Sequence, residues 1–304
     1  MSHRLLSVGF AVALALAGCA SQPDARPEPA PQPTTSTAAT TTSTPPQAPT
    51  ATPPPPPSTT TPAPRTMTQA QQVRWIPKPG TQWQWQLTNP VDTSVDVPVY
   101  DVDSTYTDAA TVAALHAKGR KVICYVNTGA WENFRPDENA FPSTVLGSQD
   151  GWPGEQWLDI RQLAVLQPIM AARFAACKAK GFDGIEADLV DAYTSQTGFP
   201  LTAADQLRYN QMLAGLAHGL GLSIGLKNDL GQVPQLVGVF DFAIDEQCFE
   251  YSECDQLSPF IKAGKAVFEV EYQLSNDQFC TQAGALGFSA MRKNTALDAP
   301  RWPC

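Results

Sequence analysis

Carboxylates and amides recur at the ends of short apolar runs in this chain. Asp101 and Asp103, Asn127, Asp159, Glu186 with Asp188, Lys227 with Asn228, Asp245 with Glu246, and Glu271 with Tyr272 all close such runs. Apolar surroundings are a costly place to leave a charge without a partner or a task. Any one of these Asp residues reads equally well as a helix N-cap. The whole set is too large for that reading. Several carboxylates on one rim suit acid–base work on a glycosidic bond, which needs two of them. One donates a proton to the bridging oxygen; the other attacks the anomeric carbon or activates a water. Strand side chains alternate with period two, so Glu186 and Asp188 point the same way. Asp188 stands at the terminus, where a substrate would lie, and Glu246 ends another run two units further on. Lys227 and Asn228 fall between them. A lysine there lowers a neighbouring carboxylate's pKa and binds a hydroxyl; a plain ion pair with Glu186 is the alternative. Trp83, Tyr125, Trp131, Tyr193 and Tyr272 fall at or just beyond run ends. Sugar faces stack on such rings, and a protonated amino sugar gains about 0.5–2 kcal/mol of cation–π attraction. Core packing is an equal reading for each ring taken singly. The residues expected to touch ligand are Asp101, Tyr125, Trp131, Asp159, Glu186, Lys227, Asn228 and Tyr272.

These residues need a scaffold that brings run ends together. Strand-like runs cover Val97–Asp103, Lys121–Asn127, Trp157–Ile160, Gly184–Asp188, Ser223–Asn228, Phe240–Glu246, Ala266–Tyr272 and Phe288–Lys293. Helix-like stretches include Asp108–Lys118, Leu163–Lys180 and Ala203–Leu220, with glycines after them. Alternation of this kind argues for a parallel sheet. Eight runs in a domain of this size argue for an α/β fold of the closed (β/α)8, or TIM-barrel, type. In that fold strand C-termini carry the active site. Trp83–Leu87 is either an added edge strand or the first strand of the eight, with the last one accessory. An open doubly wound sheet is the competing fold; it would want a glycine-rich phosphate loop after its first strand, and the sequence has none.

The N-terminus carries an address. Leu5–Ala17 is an apolar run too short to span a bilayer, and it ends in Leu16-Ala17-Gly18-Cys19. This resembles the bacterial lipobox, in which the cysteine is lipidated and the preceding segment removed; a plain signal peptide cut near Ala20 is the alternative. The expected organisation is a signal peptide over residues 1–18, a spacer over 19–68 that begins with lipidated Cys19, and a folded domain over 69–304. The stretch Ala20–Thr66 holds 15 of the chain's 28 prolines and no aromatic residue. Such a composition cannot offset the entropy of ordering and favours a semi-extended disordered spacer. Six cysteines remain besides Cys19, an even number that fits an oxidising compartment and allows 15 pairings. The preferred set is Cys248–Cys254, closing a small loop, Cys280–Cys304, tying down the C-terminus, and hence Cys124–Cys177. With 3 His and no CxxC pair, no metal or other cofactor is expected. A net charge of −9 argues against a nucleic-acid partner and suits a neutral or cationic substrate. The expected state is a monomer that meets the membrane only through its lipid.

Several segments together resemble glycoside hydrolase family 114, the endo-α-1,4-polygalactosaminidases. They are Trp83–Leu87, Val99–Asp103, Val122–Gly129 with Trp131–Pro136, Trp157–Arg161, Phe182–Asp191, Gly225–Asn228 and Phe240–Cys248. They run in order over essentially the whole folded part. The resemblance implies a (β/α)8 barrel, hydrolysis of α-1,4-linked galactosamine polymers, and Asp188 and Glu246 as the catalytic pair. Analogy with α-galactosidase-like barrels makes Asp188 the nucleophile and Glu246 the acid/base. Leu189 departs from the pattern, where an Asn is expected after the Asp. The readings that compete with this one are a carbohydrate-binding envelope lipoprotein without catalysis and a hydrolase of another α-linked glycan.

Overall fold

The computed structural model describes residues 74–304. The signal peptide, Cys19 and the Pro/Thr-rich spacer lie outside the described residues. The chain starts with β1 (Trp83–Gln86), β2 (Val99–Asp103), α1 (Ala109–Ala117) and β3 (Lys121–Asn127). A short excursion follows through β4 (Ala130–Glu132), β5 (Leu146–Gln149) and β6 (Glu155–Leu158). Next come α2 (Leu163–Lys180), β7 (Gly184–Asp188), α3 (Ala203–Gly219), β8 (Ser223–Lys227), α4 (Val233–Leu236) and β9 (Phe242–Glu246). The chain ends with α5 (Ser258–Lys262), β10 (Val267–Glu271), α6 (Asn276–Leu286), β11 (Ser289–Arg292) and β12 (Trp302–Pro303).

The main sheet runs β1-β2-β3-β7-β8-β9-β10-β11-β12. Its first eight strands are parallel, and β12 pairs antiparallel with β11. The sheet curls into a TIM-like half-barrel. Two expectations are corrected. The run Trp157–Ile160 is not a barrel strand: its β6 part is the centre of an antiparallel side sheet, β4-β6-β5. A parallel neighbour needs a crossover of a dozen or more residues, usually a helix. Between β3 and β6 the chain forms only short strands and two 3-10 turns, so it returns antiparallel. β1 supplies the missing parallel strand, which is the alternative count given for Trp83–Leu87.

The second correction concerns closure. Among the described residues no backbone ladder joins β1 to β11. That seam is bridged by side chains instead. The Trp83 indole N–H donates to the Ser289 carbonyl at 2.8 Å, and the Gln84 amide donates to the Ala299 carbonyl at 2.7 Å. Inside the curl, Trp83, Trp85, Phe242, Phe268 and Met291 form an inner core. Trp83 and Phe268 lie 4.7 Å apart between centroids, across the interior. Each such ring withdrawn from water contributes about 1.5–3 kcal/mol. A larger core lies between the sheet and its helices, with Phe174, Tyr209 and Leu213 among its members.

Local signals explain the helices. A Thr202/Asp205 capping box starts α3 and a Ser275/Gln278 box starts α6. Gly181 ends α2 at φ 96°, a left-handed turn that a side chain would strain. The disulfides are Cys124–Cys177, Cys248–Cys254 and Cys280–Cys304, the preferred pairing. Bonds of this kind persist outside the reducing cytoplasm, which places the domain in an extracytoplasmic compartment. No described helix is long and apolar enough to cross a membrane.

Candidate active site

Strands β7, β8 and β9 are neighbours in the sheet, and each delivers one charged side chain to the same end of the curl. Asp188 ends β7, Lys227 ends β8 and Glu246 ends β9. The Lys227 ammonium donates to Asp188 Oδ1 at 3.2 Å and to Glu246 Oε2 at 2.5 Å. It thus bridges the two carboxylates, and the alternative of a plain ion pair with Glu186 does not hold. Tyr125 completes Asp188 by donating its hydroxyl to Oδ2 at 2.8 Å, and the Tyr272 hydroxyl donates to Glu246 Oε1. Asn228 Oδ1 accepts from the Glu246 backbone N–H at 3.1 Å. Burial alone would lower the Lys227 pKa. The charges of Asp188, Glu246 and Glu186 outweigh it and hold the ammonium well above the usual lysine range. The Trp85 ring lies 5.5 Å from Nζ, a cation–π contact beneath the charge.

The backbone is strained where these side chains are presented. Leu189, Asn228 and Gln247 follow the three strand ends directly, with φ of 57°, 51° and 66°. Left-handed non-glycine residues cost on the order of 1–3 kcal/mol each and gather at functional sites. The loop after β3 passes so close that a Cβ on Gly129 would stand 1.8 Å from the Leu189 carbonyl oxygen. Only glycine fits there. The turn that aims Asp188 is therefore held from the adjacent strand end.

Above the three charges opens a cleft of about 540 Å³. Its walls include Trp85, Phe134, Trp152, Glu132 and Glu155. Arg135 shapes one side: it holds Asp103 at 2.8 Å and Glu132 at 2.8 Å, and carries the exposed Phe134 ring beside it. Glu155 is pushed up to about 8, first by burial and then by Glu132 and Asp150. Five acidic side chains line the cleft beside Lys227 and Arg135, so it is rich in acceptors for the N–H and O–H groups of a ligand.

Other expected site residues lie elsewhere. Asp101 and Glu186 belong to the layer below, fully buried, where the two carboxyls share one hydrogen bond with Glu186 holding the proton. Burial, then the Asp101 charge, holds Glu186 well above the carboxylate range, and burial pushes Asp101 up to about 8. Asp159 is outside the cleft and is paired with Arg161 at 2.6 Å. Trp131 does not line the cleft; its indole donates to the Glu138 carbonyl at 3.0 Å and its ring packs on the outer core. Trp83 is buried against Trp85 in the inner core. Glu271 accepts from the Phe249 backbone N–H at 2.8 Å and is absent from the cleft wall.

Nothing in the strand-end pattern points to Phe134, Trp152, Glu132 or Glu155, because they belong to the excursion between β3 and α2. A usable signal exists for Trp152. It stands between Gly151 and Pro153-Gly154 in a polar loop and is 65% exposed. A large aromatic in such a loop has no core to fill, so contact with a ligand is its better explanation.

The buried Asp101–Glu186 pair makes stability depend on pH. An acid whose folded pKa is raised contributes stability that is complete below its unfolded pKa, near 4, and is lost as pH rises through the folded value. For Asp101 that window ends near 8. Unfolding by urea is therefore expected to show higher stability at pH 5 than at pH 8.5. Glu186→Gln should reduce the difference, with other buried acids such as Glu155 carrying the remainder; an unchanged slope would show that the pair does not titrate in this way.

The chain's likeness to known proteins agrees with this geometry. Residues 64–304 match the model of glycoside-hydrolase family GH114. The fold superposes on Ega3 of Aspergillus fumigatus, solved in complex with galactosamine, at a TM-score of 0.72 and 38% identity, over 76% of this chain and 98% of that one. The glycoside hydrolase domain of PelA from Pseudomonas aeruginosa shares the fold at a TM-score of 0.58 and 13% identity, over 74% and 98% of the two chains. A Deinococcus radiodurans protein is 28% identical over 223 residues, 62% of this chain and 71% of its own. With the family model matched over nearly all of the folded part, the chain belongs to glycoside hydrolase family 114 and is a glycosidase.

Proposed function

We propose that the domain cleaves α-1,4-linked galactosamine-containing polysaccharide within the chain, with retention of configuration. Asp188 is the nucleophile and Glu246 the acid/base. The observation that carries the reading is the Lys227 bridge. Both carboxylates reach one nitrogen, at 3.2 and 2.5 Å, so their facing oxygens are less than about 6 Å apart. Direct attack typically has the carboxyl groups about 5–5.5 Å apart, and attack through a water about 6.5–9.5 Å; a single ammonium shared by both favours the closer arrangement. Glu246 gives its proton to the bridging oxygen while Asp188 bonds the anomeric carbon; Glu246 then takes a proton from the water that releases the sugar. The substrate class rests on the acidic, aromatic cleft and on the likeness to a protein solved with galactosamine. The same reading puts the domain outside the cytoplasm, tethered through Cys19.

The test is incubation of the soluble domain with an α-1,4-galactosamine polymer at several degrees of N-acetylation. Oligomers should appear, with the partly or fully de-N-acetylated polymer preferred by tenfold or more at low salt. The preference should shrink toward 1 M salt, where the Debye length falls to about 3 Å. Equal rates on all forms at every salt concentration would refute the amine preference. Absence of products from all of them would refute the substrate class.

A further inference from the structure

The segments that lead into the parallel strands lie at the opposite end of the sheet from the cleft, and positive charge gathers there. Lys78 precedes β1, Lys118 and Lys121 meet at the start of β3, Lys178 stands in the last turn of α2 and Lys262 in that of α5. All five side chains are exposed. The segments 74–82, 92–98, 116–121, 178–183, 218–222, 237–241, 262–266 and 287–288 hold nine lysines and arginines against four aspartates, in a chain whose net charge is −9. Two of those aspartates are already occupied. Asp183 pairs with Lys121 at 2.7 Å and His116 at 2.8 Å, and Asp241 with His218 at 2.9 Å and Arg74 at 3.5 Å. Among the described residues no carboxylate lies within 4 Å of the Lys78, Lys178 or Lys262 ammonium. Lysines at helix C-termini also complement the helix dipole. Lys78 and Lys121 lie outside helices, so the dipole does not account for the whole cluster.

The same end carries a half-buried tryptophan. Trp75 lines two cavities there, of about 440 and 290 Å³, and Lys121 lines both beside it. Lys78 borders the first and Lys178 the second. Trp75 packs on Phe242 of the inner core, 6.4 Å between ring centroids, so its ring is held at this end of the curl. An indole with one part packed and one part wet suits a membrane–water interface. Acidity elsewhere does not cancel the lysines. A five-residue strand spans roughly 17 Å, about twice the Debye length of about 8 Å at physiological ionic strength. The carboxylates of the cleft rim are therefore screened from a surface at the far end.

We propose that this end of the domain docks on anionic phospholipid headgroups, so that the cleft opens away from the membrane. The lysines meet lipid phosphates, and Trp75 sits among the headgroups. The choice of a membrane over another polyanion follows from where the chain enters. The described part begins at Arg74, on this end, and the inference rests on the proposed tether through Cys19. Between Cys19 and Arg74 lie 54 residues, a length that reaches at most about 190 Å. A lipid on Cys19 alone would leave the orientation of the domain open; the lysines set it. Each lysine brought within a Debye length of an anionic leaflet adds a small attraction, and a tether keeps the local concentration high enough for a weak contact to persist. The cleft then faces polysaccharide that arrives from outside.

Vesicle flotation tests this apart from the tether and from turnover. The chain from Ala20 to Cys304, which lacks the lipid site, is mixed with vesicles of phosphatidylcholine alone or with about one-third phosphatidylglycerol, at about 0.1 M salt. The anionic vesicles should bind it at least about tenfold better, and about 1 M salt should abolish the difference. Lys78→Gln combined with Lys178→Gln should lower that binding by about tenfold or more. Both lysines are exposed, so the variant should fold. Arg161→Gln combined with Arg208→Gln removes the same charge near the starts of α2 and α3, at the cleft end, and should change binding by less than about twofold. Equal binding to both vesicle types, or equal losses from the two pairs of substitutions, would overturn docking through this end. Binding to duplex DNA without binding to anionic vesicles would assign the lysines to another polyanion and overturn the lipid reading. Mass spectrometry of protein isolated from cells reads the tether separately. A mature chain without lipid on Cys19 would overturn the tethered orientation, whereas failure of vesicle binding would leave the tether and the glycosidase reading standing.

Discussion

Asp188→Asn and Glu246→Gln are each expected to lower kcat/KM on a galactosamine polymer by at least about 10²–10⁴-fold, the range for removing a positioned proton donor or its partner. Both changes preserve shape, so unfolding curves should stay close to wild type and the loss can be assigned to chemistry. The roles then separate by rescue. Asp188→Ala opens space for azide to attack the anomeric carbon directly, and a single displacement inverts configuration. In Glu246→Ala the Asp188 ester still forms, most easily from a substrate with a good leaving group. Azide then attacks that ester from the other face, and two displacements retain configuration. Substrates with poor leaving groups should suffer most from the Glu246 change, because only they need the proton. Product configuration is read directly by NMR. Near-wild-type turnover in either shape-preserving variant would remove that residue from the mechanism. Inverted azide product from both alanine variants would exclude retention.

The legible part of this protein lies where chemistry and periodicity coincide. Asp188, Lys227 and Glu246 each terminate a short apolar run, and a parallel sheet places such ends on one rim, so their convergence follows from pattern alone. What the pattern cannot supply is pairing direction. Trp157 and Leu158 have the apolar character of a barrel strand, but a four-residue run reads the same in a parallel or an antiparallel neighbour. The deciding fact is the lack of a crossover helix before it. The misplaced site residues have the same origin. Asp159 and Trp131 belong to that excursion, and once it folds as a side sheet they turn to Arg161 and to the Glu138 carbonyl. Asp101 and Glu186 were legible as inward-facing; their depth was not. Period two fixes the face of a strand, while the layer at which a side chain meets solvent depends on how the curl and its loops cover the opening. Phe134 and Trp152 reach the cleft from segments without period, and position there is set by contacts such as the Arg135 pairs.

Lys227→Met should prove nearly as damaging as loss of a carboxylate, although lysine itself exchanges no atom with substrate in the proposed reaction. The substitution keeps most of the volume beneath the cleft and removes the one charge that joins Asp188 to Glu246. Two carboxylates less than about 6 Å apart, above a low-dielectric floor that includes Trp85, then lack a counter-ion. Breaking a fully buried pair costs about 3–5 kcal/mol. Asp188 and Glu246 keep side-chain exposures of 13% and 24%, so solvent screens part of that cost. The expected kcat loss is roughly 10²-fold, about 2.7 kcal/mol of barrier. A second readout distinguishes a positioning lysine from a merely structural one. The loss should fall on kcat, with KM within about threefold, because the lysine aligns the two carboxylates while substrate lies in the cleft above them. Lys227→Arg should recover part of kcat by returning the charge, but not the full rate, because a planar fork cannot reproduce a point charge shared between two carboxylates. A kcat within threefold of wild type in Lys227→Met would show that the bridge holds the strands and leaves the reaction untouched.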